Sequence, residues 1–166
     1  MTVVLSEYNS NWPGMFEAEK SHLLSVIGDL LCGSVEHVGS TSVDGMIAKP
    51  VIDIMFGVTS LKASISAIPR LVESGYCHYP YKAEVMHWFC KPSPEVRTHH
   101  LHLVPHESSL WNERLSFKEA LKTDRTYFDE YRNLKQKLAK TVGFDRELYT
   151  QLKGPFIQKV LNEIDS

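Results

Sequence analysis

The sequence predicts an α+β fold, and three observations carry that reading. Short β-branched and apolar runs, bounded by Gly, Pro and Ser, fill roughly the first 105 residues. After Pro105 the apolar residues recur in steps of three and four as far as Ile164. No linker interrupts the 166 residues, so they read as one domain. Its α/β core covers about 1–105, and a helical extension covers about 106–166.

In chain order, residues 2–8 suit a short strand. Asn9 or Asn11 is placed to cap a helix whose first turn accepts Pro13. Met15, Phe16, Leu23, Leu24, Ile27, Leu30 and Leu31 give that helix a span of about 13–30, and Gly33 closes it. Ser34 to Val38 reads as a strand that runs into the turn GSTSVDG. The run KPVIDIMFGV is compact and β-branched, as a central buried strand requires. Residues 61–75 read as a helix interrupted at Pro69. Strands follow at about 84–91 and 96–104, with Pro80, Pro92 and Pro94 marking turns beside them. Three helices then close the chain. The first carries Leu110, Leu115, Ala120 and Leu121. The second carries Tyr127, Tyr131, Leu134, Leu138 and Val142, and ends at Gly143. The third, over 145–164, carries Tyr149, Leu152, Phe156, Ile157, Val160 and Leu161, and Gly154-Pro155 predicts a kink within it.

Composition narrows the function. Lys plus Arg total 18 against 20 Asp plus Glu, a formal charge of −2, which argues against a general nucleic-acid binder. Cys32, Cys77 and Cys90 are odd in number and form no CxxC pair, as free thiols of a reducing cytoplasm would be. The N-terminus lacks the pattern of a secretory signal, and no run approaches the roughly 20 apolar residues of a membrane span. The expectation is a cytoplasmic protein that does not engage membranes.

Two constellations carry chemistry. In EHVGSTSVDGMIAKPVIDIMFGV, residues 36–58, Gly39 lets the backbone approach an anion closely, and Ser40 and Thr41 add hydroxyl donors. Thirteen residues after Ser40 comes Asp53, on a strand face shared with Val51 and Met55. A carboxylate among apolar neighbours needs a cation, a donor or open water. Lys49 is placed to partner Asp53 or a phosphate. Glu36 and His37 are placed to support the turn from behind. In RTHHLHLVPH, residues 97–106, His100 and His102 point one way, and His99 and Leu101 the other. Arg97 shares the His99 face if the strand is regular, and its planar fork suits phosphate or an acid such as Glu84 or Glu95. Imidazoles facing a carboxylate suit zinc, manganese or iron better than magnesium, or else contact with a phosphate, or proton relay. Trp12, Trp88 and Trp111 read as core residues, as do Tyr127, Tyr131 and Tyr149. Lys118, Lys122, Arg125 and Arg132, interleaved with acids, read as a solvated face.

A Gly-Ser turn followed by an acid-bearing strand resembles the nucleotidyltransferase superfamily. The longer string HVGSTSVDGMIAKPVIDIM, with HHLHLV downstream, resembles the GrpB family. That similarity runs from YNSNWPGMFEAE to YTQLKGPFIQKVL, almost the whole chain. The resemblance implies a nucleotidyltransferase-like mixed β-sheet packed with helices and followed by a C-terminal helical segment. It also implies two strand acids that, with a third on a later strand, hold divalent metal ions on the phosphates of a nucleotide. Here the strand has one acid. Asp53 matches the first with Met55 in the second's place, or the second with Val51 in the first's. His100 or His102 takes the third acid's place. Lys153, in a segment similar to the family's C-terminal signature, either reaches the site or is solvated.

The expected site is therefore Asp53 and His102 as catalytic groups, and Asp53, His100 and His102 around Mg, Mn or Zn. Gly39, Ser40, Thr41, Lys49, Arg97 and Lys153 would hold phosphate. The expected partner is a small nucleotide or coenzyme-like phosphate. Three functions fit: metal-dependent nucleotidyl or phosphoryl transfer; a non-catalytic nucleotide- or coenzyme-binding module lacking one acid; or a His/Asp metal-dependent hydrolase.

Overall fold

A computed structural model describes residues 4–142 and 145–165. A five-stranded sheet forms its centre, with strands β1 (Val35–Val38), β2 (Ile52–Val58), β3 (Cys77–Tyr79), β4 (His87–Pro92) and β5 (Arg97–Pro105). Their spatial order is β1-β2-β5-β4-β3. β2 and β5 run parallel, and the other pairs are antiparallel. The sheet is thus mixed, as expected. β5 is the central strand, flanked by β2 and β4, and β2 is accordingly apolar but for Asp53.

Helix α1 (Trp12–Ile27) and the short α2 (Ala67–Glu73) cover one face. Trp12, Phe16, Leu23 and Ile27 fall on one stripe of α1 and pack on Ile52, Ile54, Phe56, Leu101 and Leu103. The Asn9 side chain accepts the Asn11 amide at 2.8 Å just before the helix. Glu19 is buried beneath α1, bonded to Lys91 and, at 3.0 Å, to the Tyr76 hydroxyl. On the other face, α3 (Ser109–Thr123) lays Leu110, Trp111 and Leu115 over Val38, Met55, Met86, Trp88 and Val104. Ser108 caps it by accepting the Trp111 amide. Helices α4 (Arg125–Val142) and α5 (Arg146–Ile164) pack beside α3. With α3 they clasp the loop after the Gly-Ser turn: Val43, Met46 and Ile47 meet Leu121, Phe128 and Tyr131.

Several elements differ from expectation. Residues 1–3 and Gly143 lie outside the described residues. Of the N-terminal strand, the described part makes one bridge, Ser6 to Ala48. The helix foreseen over 61–75 is confined to Ala67–Glu73; Pro69 stands in its first turn, where no amide bond is lost. β3, three residues long at the sheet edge, was not anticipated. α5 runs unbroken through Gly154-Pro155. Among the described residues no helix is long and apolar enough to cross a membrane.

Candidate anion-binding site

The site lies on the α3 face of the sheet, where β1 ends and β2 and β5 begin. Parallel register sets Asp53 beside His100 and Met55 beside His102, so the period of two turns all three polar groups to one face. Asp53 Oδ1 lies 3.1 Å from His100 Nδ1 and 3.5 Å from His102 Nε2. The Asp53 side chain keeps 28% of its surface in solvent, whereas that of His102 keeps 8%. Burial alone would raise the Asp53 carboxyl. The adjacent imidazoles of His100, hydrogen-bonded to it, and His102 outweigh burial and hold the group well below the carboxylate range. The opposite holds for His102, where burial and the charge of Arg114 push the imidazole down to about 4, against the pull of Asp53. At neutral pH the pair is a carboxylate beside a neutral ring. Nε2 of His100 and Nε2 of His102 are buried with no hydrogen-bond partner among the described residues.

Gly39 closes the site from above. Its φ is +73°, and a β-carbon there would meet Asp53 Oδ2 at 2.5 Å. Both the left-handed backbone and the contact demand glycine. The turn itself is less open than foreseen. Amides of Ser42 and Val43 bond to the carbonyls of Gly39 and Ser40. Thr41, expected at a phosphate, faces inward at 2% exposure. Its hydroxyl donates to the Val51 carbonyl at 3.2 Å and accepts from His37 Nε2 at 2.9 Å. A hydroxyl used twice inside the fold locks the turn rather than serving a ligand. His37 does support the turn from behind, stacked on Phe16, and burial lowers its pKa to about 4. Ser40 stands beside the Tyr131 phenol, whose pKa burial raises to about 12.

Basic side chains ring this centre. A cleft of 230 Å³ is lined by Lys49, Pro50, Val51, Glu95, Val96, Arg97 and His100. Arg97 was expected on the His99 side. A register shift at Lys91/Pro92, where Arg97 pairs with Pro92, turns it instead over Trp88, 5.3 Å from the ring. Trp88 in turn packs on His100. Lys153 reaches in from α5, half-buried over the Tyr149 ring at 4.7 Å, and Lys49 lies 5.4 Å from the same ring. Burial lowers Lys153 to about 8, with Asp53 opposing.

Sequence reasoning missed Lys135, Arg114 and Lys118. Lys135 is 1% exposed, bonded to the Ile47 carbonyl and 5.3 Å from the Tyr131 ring. Burial first, then the charges of Lys153 and Lys49, drive its amine well below the ordinary lysine value. The signal was available: Lys135 follows Tyr131 by four and lies between Leu134 and Leu138 on the apolar stripe. Arg114 is half-buried, 3.8 Å from Met86 Sδ; burial lowers its pKa, and the Asp53 charge opposes that. Lys118, read as solvated, donates to the His37 carbonyl at 2.7 Å.

The family model described as GrpB protein matches residues 2–163. The chain belongs to the GrpB family. The glutamate-rich protein GrpB of Alkalihalophilus pseudofirmus is 36% identical over 167 residues, which span 98% of this chain and 95% of that relative. A UPF0157 protein of Halalkalibacterium halodurans is 29% identical over 170 residues, 99% of this chain and 84% of that one. The crystal structure of conserved protein GrpB from Enterococcus faecalis superposes with a TM-score of 0.85 at 28% identity, covering 96% of each chain.

In this GrpB-family chain the donor set does not fit the metal pair that a nucleotidyltransferase-like sheet implies. Met55 is wholly buried in apolar contacts, and residue 51 is Val. Asp53 is the single strand acid, and both nearby imidazoles are turned onto its Oδ1. Among the described residues no group of three His, Cys, Asp or Glu side chains is disposed to hold an ion. Arg114, Lys135 and Lys153, which all feel the Asp53 charge, would repel a dication.

Proposed function

We propose that this cleft binds a small phosphate-bearing molecule, a nucleotide or a coenzyme-like phosphate. One observation carries the reading: a single strand carboxylate, Asp53, acts on Arg114, Lys135 and Lys153, and the adjoining cleft is lined by Lys49 and Arg97 against one further acid, Glu95. Cations gathered in a partly dry site are costly until an anion enters. Phosphate oxygens accept several charge-assisted hydrogen bonds at once, so they suit such a ring of donors. Asp53 serves as counter-charge and as the anchor that orients His100. The supporting experiment is a thermal-shift and calorimetric screen of nucleotides and coenzymes against their dephosphorylated forms. Binding that depends on the phosphate supports the reading; no binding by any phosphorylated compound ends it.

A second reading is favoured by the orphaned His100 Nε2. With Nδ1 on Asp53, the opposite nitrogen is the one left to exchange a proton with a ligand. Product release from the compound identified in the screen, lost in His100→Gln while binding persists, supports proton transfer. Equal turnover in the variant ends it.

A further inference from the structure

We propose that Lys49, Lys135 and Lys153 form a subsite for a chain of at least two linked phosphates, and that these side chains supply the positive charge a divalent metal would otherwise bring. The inference rests on the phosphate-binding reading and specifies its ligand.

The geometry is that of one cluster assembled from three distant parts of the chain. Lys49 precedes β2, Lys135 lies on α4, and Lys153 lies on α5. Lys49 and Lys153 share the Tyr149 ring, and Lys135 lies over Tyr131. Both other lysines act on the Lys135 amine. Like charges held this close disfavour the fold, and the hydrophobic stripe of α4 could have carried an apolar side chain at 135. Tyr149 adds an independent sign. It is fully buried, and its hydroxyl has no hydrogen-bond partner among the described residues. An orphaned donor beside convergent amines is what a site for an absent anion leaves behind.

A lone phosphate would engage the His100 and Arg97 side of the cleft. Lys49 lines that same cleft, and it shares the Tyr149 ring with Lys153, so a ligand that reaches from His100 and Arg97 to the lysines carries its charge along a chain.

The test is isothermal titration calorimetry of the whole protein with inorganic tripolyphosphate, once in chelator and once with magnesium. The expected result is binding in chelator, at least about tenfold tighter than inorganic phosphate. Magnesium should not strengthen it, because it competes for the probe. Lys153→Met and Lys135→Met should each weaken binding about tenfold. Lys137→Met, on the exposed side of α4, should not. Lys153 is half-buried, so its variant keeps the test open if Lys135→Met fails to fold. Binding that requires magnesium, manganese or zinc overturns this inference but leaves the phosphate reading standing. So does a protein that takes a monophosphate compound yet ignores tripolyphosphate. Equal affinity in Lys137→Met and Lys153→Met places the charge elsewhere and also overturns it. Failure of every phosphate compound removes both proposals.

Discussion

Replacing Gly39 by alanine tests the join between the turn and the acid. Two costs are expected. The backbone there, φ +73° and ψ −175°, lies in a region kept almost wholly for glycine and costs an L-residue about 1–3 kcal/mol. The new β-carbon would lie 2.5 Å from Asp53 Oδ2, so the carboxylate must retreat by roughly 1 Å to reach ordinary contact. That movement loosens the 3.1 Å bond to His100 Nδ1, and a hydrogen bond to a charged group is worth about 1.5–3 kcal/mol. Gly45→Ala separates the two costs. Gly45 has a similar φ of +80°, but its added β-carbon would meet only the Phe128 ring at 3.7 Å. Thermal unfolding should place Gly39→Ala below Gly45→Ala by about 1.5–3 kcal/mol, or roughly 3–12 °C for a chain of this length. Equal melting temperatures would refute the claim that the turn is packed onto the acid.

Three further outcomes follow from the charges. His37 and His102 titrate near 6.5 when unfolded and about 4 when folded. The unfolded chain therefore binds more protons between those values, and stability falls as pH drops through that window, by on the order of 3 kcal/mol for each ring at most. Denaturant midpoints that stay flat from pH 7 to pH 4 would contradict this. Lys153 titrates near 8 in the ligand-free fold, so tripolyphosphate affinity should decline as pH rises through 8 and recover on return. Titrations at pH 7 and pH 9 with equal affinity would count against its role. Asp53→Asn keeps the shape and removes a like charge, so it should tighten tripolyphosphate in chelator several-fold; unchanged or weaker binding would contradict that charge argument.

Much of this architecture was legible in the chain, and the gaps have physical causes. Strands β1, β2 and β5 announced themselves because β-branched residues crowd between turn signals. Alternation alone placed Asp53, His100 and His102 on shared faces, and the parallel β2–β5 register then brought them together. β3 stayed hidden because a three-residue edge strand carries no period. Arg97 was assigned to the wrong side because a register shift beside Pro92 breaks the alternation. The basic half of the site was the least visible. Lys135 and Arg114 acquire meaning only when α3, α4 and α5 close over the 43–47 loop, a tertiary event that no local pattern records. A lysine on an apolar helical stripe was the one available hint.

The most direct measurement is a crystal structure of the protein grown with tripolyphosphate, solved with anomalous phosphorus or metal signals. Phosphate oxygens should lie within hydrogen-bond reach of Lys49, Lys135, Lys153 and His100 Nε2, with Asp53 still on His100. A cation bridging Asp53 to the phosphates, or a probe bound away from this cleft, would contradict it.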